Sequence, residues 1–119
     1  MSTYHYIFIT PGKPVEDLVA DLSAACGVPL REAESEYIDF SANIGDAAIE
    51  LELEHDYEED YGIPFEQYDS LIVIRDFDQD MERQERTAQE LFQRLARLGK
   101  YRMMLVWDLQ KLIRLEPST

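Results

Sequence analysis

Residues 49–54 read Ile-Glu-Leu-Glu-Leu-Glu, the strictest alternation of apolar and charged side chains in the chain. A β-strand sends successive side chains to opposite faces, whereas a helix would scatter these six around its circumference. The segment is therefore predicted to be a strand covered on one face only, with Ile49, Leu51 and Leu53 buried and Glu50, Glu52 and Glu54 exposed. A slip of one residue would exchange the two sets, so the pattern also fixes the register. The rest of the chain must supply a sheet to pair with this strand and a layer to cover its apolar side.

The other elements follow from the same periodicities. Tyr4 to Thr10 is aromatic and β-branched and reads as a strand, broken by Pro11-Gly12. Val15, Leu18, Val19, Leu22, Ala25 and Cys26 recur at helical spacing, which predicts a helix over 14–26 with Gly27 as its stop. A strand is expected near 34–42, turning at Asn43-Ile44-Gly45-Asp46 into the alternating strand as a hairpin. Gly62 and Pro64 make 56–69 an irregular connection. Leu71 to Ile74 is a continuous apolar run, expected of a strand covered on both faces or central in its sheet. Met81, Ala88, Leu91, Phe92, Leu95 and Leu98 mark the inner stripe of a second helix over 79–98. Tyr101 to Trp107 is a further strand, while 109–115 fits either a short helix or a strand.

The resulting order is β-α-β-β-β-α-β. It describes an α+β fold with a single sheet of about five strands and both helices on one face, of ferredoxin-like or split β-α-β character. That likeness concerns architecture and carries no function. The length of 119 residues suits one domain, 1–119, and the 45% hydrophobic content argues against global disorder.

Charge is distributed far less evenly. Residues 32–74 contain no lysine or arginine, yet fourteen of the chain's 25 acids fall there; the remaining eleven balance the eleven basic residues. The net charge of −14 thus belongs to the middle of the chain and points to a cationic partner. Direct binding of nucleic acid or of an anionic membrane through this surface is disfavoured, because phosphates would be repelled. No apolar run reaches the roughly 20 residues of a membrane span. The N-terminal residues carry no basic region or cleavage pattern of a signal peptide, and the single cysteine, Cys26, suits a reducing cytosol, so a cytoplasmic location is expected.

Motifs for catalysis are sparse. The glycines stand singly at element ends and build no phosphate-binding loop or dinucleotide fingerprint, so no cofactor is expected. No serine occupies a G-x-S-x-G elbow, and Cys26 reads as a structural thiol. Asp76, Asp78 and Asp80 superficially match a calcium loop, but Met81 stands at its sixth position and Thr87 at its twelfth, where glycine and glutamate belong. Helix capping accounts for these aspartates, and no metal site is predicted. His55 has acidic neighbours but no spaced second histidine, and His5 reads as a structural or surface residue. Arg83, Arg86, Arg94 and Arg97 read as a solvated helix face. The chain is expected not to be an enzyme.

The charge run continues from Glu50, Glu52 and Glu54 into Asp56, Glu58, Glu59 and Asp60, interleaved with Tyr57 and Tyr61. Tyrosine offers area and a hydroxyl at low entropic cost and is enriched at interface hot spots. Phe65 and Tyr68 are expected to fold back onto the sheet, leaving Tyr57 and Tyr61 exposed. These nine acidic and tyrosine residues are the candidate partner-binding surface. The segment Asp56-Tyr57-Glu58-Glu59-Asp60-Tyr61 resembles, in surface character, bacterial immunity proteins that neutralise nuclease toxins. Those families are small, acidic and cytosolic, and place acids and tyrosines in a cationic active site. The fold read here differs from the all-helical colicin-nuclease immunity type, so no residue-level role transfers. The resemblance implies a non-enzymatic inhibitor occluding a basic site on a protein partner. The alternatives are a nucleic-acid mimic that sequesters a DNA- or RNA-binding protein, a homo-oligomeric scaffold that buries one sheet face, and a metal-dependent enzyme using the acidic cluster.

Overall fold

A computed structural model describes residues 3–117. The chain runs β1 (His5–Thr10), α1 (Val15–Cys26), β2 (Arg31–Glu32), β3 (Phe40–Ile44), β4 (Ala47–Glu52), a 3-10 turn (Phe65–Gln67), β5 (Ser70–Asp76), α2 (Met81–Ala96), β6 (Arg102–Trp107) and β7 (Lys111–Glu116). The fold is α+β, but the sheet has seven strands, not about five. The two additional strands are β2, a two-residue pairing with β3, and β7, which settles the open reading of 109–115 as strand. The expected strand near 34–42 is displaced as well: residues 33–39 loop out, closed by Ala33 N–H donating to the Asp39 carbonyl at 3.0 Å, and pairing resumes at Phe40.

The order across the sheet is β2-β3-β4-β5-β1-β6-β7, and every neighbouring pair is antiparallel. Strands β5 and β6 flank β1, so α2 carries the chain over β1 from one to the other. The earliest strand is thereby central, and Ile7, Phe8 and Ile9 are fully buried.

Both helices lie on one face. Leu18, Leu22 and Ala25 of α1 and Ala88, Leu91, Phe92 and Leu95 of α2 share a core with Ile7, Ile9, Ile49, Leu51, Ile72, Ile74, Met103 and Leu105. Helix α1 ends as its sequence requires: Gly27 adopts φ 76°, and its N–H reaches the carbonyls of Ser23 and Ala24. Arg94 of α2 donates to the Ala25 carbonyl at 2.7 Å, satisfying one of the acceptors that a helix C-terminus leaves open. Helix α2 opens on Asp80, whose carboxylate accepts the Arg83 N–H at 3.1 Å. Neither is long and apolar enough to cross a membrane.

The opposite face carries a second, smaller core. Ile63, Phe65 and Tyr68 fold back from the connection after β4 and cover Phe8, Leu71, Val73, Met104 and Val106. The irregular, acidic segment is thus a packed layer, and its position decides where the charges stand.

Candidate protein-binding surface

Two histidine hydrogen bonds pin the start of this layer. His55 Nδ1 accepts the Tyr57 N–H at 3.1 Å, which places the ring proton on Nε2 and lets it donate to the Tyr68 carbonyl at 2.8 Å. The ring also meets Phe8 edge-on at 5.1 Å between centroids. Tyr57 follows the same path: it packs edge-on to Phe8 at 6.0 Å and near Phe65 at 6.2 Å, yet remains 40% exposed. One side of the ring is held by the second core while the other faces water, the arrangement of a pre-ordered contact residue.

Farther on, Asp60 and Ile63 pair as an isolated bridge with N···O separations of 3.2 and 2.8 Å. Tyr61 and Gly62 between them have φ of 52° and 75°, the left-handed pair that a tight I′-type turn requires. The turn presents Tyr61 at its tip, 66% exposed.

Glu50 and Tyr61 aside, the candidate surface is two adjoining depressions that share Asp56 and Tyr57. Glu52, Glu54, Asp56 and Tyr57 meet Glu36, Tyr37 and Asp39 around a depression of about 730 Å³. Asp56 and Tyr57 also line a smaller cleft of about 330 Å³ with Glu58, Glu59 and Asp60. Glu50 stands apart, with Arg75 of β5 at 3.5 Å from its carboxylate.

The expected exposure of the alternating glutamates is corrected in part. Ile49 and Leu51 are buried and Glu54 is exposed, but Leu53, Glu50 and Glu52 are half-buried. Arg75 lies beside Glu50, and Tyr57, which packs on Phe65 of the second layer, lies close enough to Glu52 for the two to interact, so neither glutamate stands fully in water. Desolvation, with the nearby charges of Glu50 and Asp39, raises the Glu52 pKa above the ordinary carboxylate range. The Tyr57 phenol is pushed up by desolvation and by Glu52. The depression is therefore a site where negative charge is crowded and partly dehydrated.

Three of its residues, Glu36, Tyr37 and Asp39, were not anticipated. The sequence around them reads as strand, although Glu36-Tyr37 repeats the acid–tyrosine interleaving of 56–61. Tyr37 is 73% exposed and lines the depression together with Tyr57. Asp39 also braces the site, because its carboxylate accepts the Leu53 N–H at 2.8 Å.

Other candidates resolve into structural roles. The Asp76-Asp78-Asp80 run is organised around a guanidinium. Arg83 donates to Asp76 from Nε at 2.7 Å and Nη2 at 3.0 Å, and reaches Asp78 at 3.0 Å. Among the described residues no group of three or more His, Cys, Asp or Glu side chains is arranged to hold a metal ion. Burial pushes the Cys26 thiol up to about 11, where it stays protonated at neutral pH and is a poor nucleophile.

Comparison with protein-family models, with curated proteins and with solved structures gives no match to this chain.

Proposed function

We propose that the protein is a non-enzymatic acidic binding module of the immunity or inhibitor type, which occludes a basic site on a partner protein such as a nuclease toxin. The observation that supports this reading most is the depression between Tyr37 and Tyr57, where Glu36, Asp39, Glu52, Glu54 and Asp56 converge and no lysine or arginine intervenes. An arginine or lysine side chain of a partner would find aromatic faces for cation–π contact and carboxylates for charge-assisted hydrogen bonds. Its positive charge would also offset the repulsion from Glu50 and Asp39 that contributes to the raised Glu52 pKa. Tyr61 and the acids of the 58–60 cleft extend the surface, and the field of the whole window steers a basic protein toward it.

The two classes of residue should fail differently. Glu54→Gln, Asp56→Asn, Glu58→Gln and Glu59→Gln together remove exposed charges and leave the fold unchanged. Association with the partner is then expected to slow by roughly tenfold or more at low salt, with a flatter salt dependence. Tyr61→Ala should leave association unchanged and speed dissociation, at a cost of about 2 kcal/mol if the ring is a buried anchor in the complex. Tyr57→Ala should act in the same direction, with an added stability loss because its ring packs on Phe8. The test is affinity capture of the partner from a native lysate, followed by both rate constants at two salt concentrations. Unchanged association of the neutralised variant, or docking on the arginine face of α2, would overturn the proposal.

A further inference from the structure

A groove of about 720 Å³ runs along the helical side of the sheet, between α2 and the β6–β7 hairpin. It exists because two helices cannot cover seven strands: beyond α2 the sheet continues, and Trp107 and Ile113 form an apolar floor with Met81 as the end wall. Its volume lies within the range usual for small-molecule sites.

His5 lines this groove, is 1% exposed, and supplies the one buried side-chain nitrogen or oxygen among the described residues that has no hydrogen-bond partner, its Nε2. The tautomer follows from the neighbours. The Asp76 N–H can only donate, and it donates to Gln84 Oε1 at 3.0 Å. That bond turns the Gln84 amide nitrogen toward His5, where it donates to Nδ1 at 2.7 Å and also to the Thr3 carbonyl at 3.1 Å. With Nδ1 accepting, the neutral ring carries its proton on Nε2. Burial lowers the His5 pKa, which favours this neutral form. The Nε2–H is then a fixed, unpaired donor on a residue that lines the groove. Beside it stands the Glu85 carboxylate, at 3.6 Å, too far for a good hydrogen bond and half exposed, so it is free to turn toward a third group. A buried donor left unmade costs free energy, and a ligand that satisfies it recovers that cost.

We propose that this groove binds a small, flat, uncharged heteroaromatic molecule carrying an acceptor beside a donor on one edge, as amino-substituted nitrogen heterocycles do. The acceptor takes the His5 Nε2–H, the adjacent donor meets the Glu85 carboxylate, and the ring lies against Trp107, Met81 and Ile113. Charged ligands fit less well, because the rim mixes Glu82 and Glu90 with Arg86 and Lys111. The site lies across the sheet from the Tyr57 depression, so its test is independent of the proposed protein-binding function.

Trp107 is the only tryptophan, which makes intrinsic fluorescence a reporter of this groove. The probes are adenine, which has the donor–acceptor edge; 9-methylpurine, which keeps ring acceptors but has no N–H donor; and indole, which has no acceptor and, sharing the tryptophan fluorophore, is followed by the NMR signal alone. Adenine is expected to give a saturable fluorescence change and to shift the His5 Nε2–H signal in nitrogen-15 NMR spectra. 9-Methylpurine should bind roughly tenfold more weakly, and Glu85→Ala, an exposed substitution that leaves the fold intact, should weaken adenine by a similar factor. Indole should give no saturable response. The proposal is overturned if adenine gives no saturable change up to its solubility limit, if indole matches it, or if Glu85→Ala binds adenine as the parent does.

Discussion

Phe65→Ala is expected to destabilise the protein by about 3–5 kcal/mol, the usual cost of deleting a buried aromatic ring. Phe65 is fully buried in the smaller core, 4.7 Å from the Phe8 ring between centroids, and its neighbours Ile63 and Tyr68 come from the same short segment. The layer therefore has little other apolar area with which to hold itself down. Its backbone hydrogen bonds, apart from the Asp60–Ile63 bridge and the 3-10 turn, are few. Urea unfolding should show the loss in the transition midpoint, and hydrogen exchange should show protection falling first over 55–68 while α1 and α2 stay protected. Because the same ring packs beside Tyr57, the variant should also lose affinity for the partner through the cost of reordering the loop. A stability loss below about 1 kcal/mol would mean that this layer is not a core and that the acidic surface is not pre-ordered.

How much of this was legible in the sequence depended on whether one periodicity ruled a segment. The stripes of Leu18, Leu22 and Ala25 and of Ala88, Leu91, Phe92 and Leu95 each select one helix face, and that face is the buried one, whereas Leu98, assigned to the same stripe, lies past the end of α2 and is exposed. The alternation in 49–54 assigned Ile49 and Leu51 to the helix side of β4 correctly. It could not report that Glu50 and Glu52 would be sheltered, because the groups beside them are Arg75 on the next strand and Tyr57, which a layer folded back onto the sheet holds in place. Only Phe65 and Tyr68 hinted at that layer.

Strand β7 was ambiguous for a local reason. Leu105 pairs with Arg114 and Val106 with Leu112, so Ile113 is an extra residue, a β-bulge. The bulge places Ile113 with the helix-side core, beside Arg114, which stacks over the Phe92 ring at 4.7 Å. Two consecutive residues on one side break the period of two, and Leu-Ile-Arg-Leu then fits neither a strand nor a helix by pattern. The candidate surface was legible in charge and composition, and its shape, two depressions meeting at Asp56 and Tyr57, was not. Residues 36–39 join the site through the loop that interrupts the expected strand, a tertiary event with no periodic signature.

Arg83 is the position where the sequence reading and the structure differ most in consequence. Spacing placed it on a solvated helix face, yet its guanidinium is the principal partner of Asp76, which is 2% exposed. Hydrogen bonds from Arg83, offset in part by desolvation and reinforced by the Asp78 and Asp80 N–H groups, hold the Asp76 pKa well below the ordinary carboxylate range. A depressed folded-state pKa contributes stability that is complete above the unfolded value, about 3.9, and is lost as pH falls through the folded value. The parent protein should therefore weaken progressively below about pH 4. Arg83→Met keeps the apolar stem but leaves the carboxylate buried without its cation. At pH 7 the unfolding midpoint is expected to drop by on the order of 10 °C. Without the guanidinium, desolvation dominates and raises the Asp76 pKa, so the variant gains relative stability as acid neutralises the group. The gap between parent and variant should thus narrow from pH 7 to pH 4, the opposite of what a general packing defect would produce. Adding Asp76→Asn removes the buried charge and should recover part of the loss at pH 7 but change little at pH 4. Thermal unfolding of the parent, the single and the double variant at the two pH values measures all of this. A pH-independent gap would show that Arg83 acts through packing, and that the carboxylate is held by its backbone N–H donors alone.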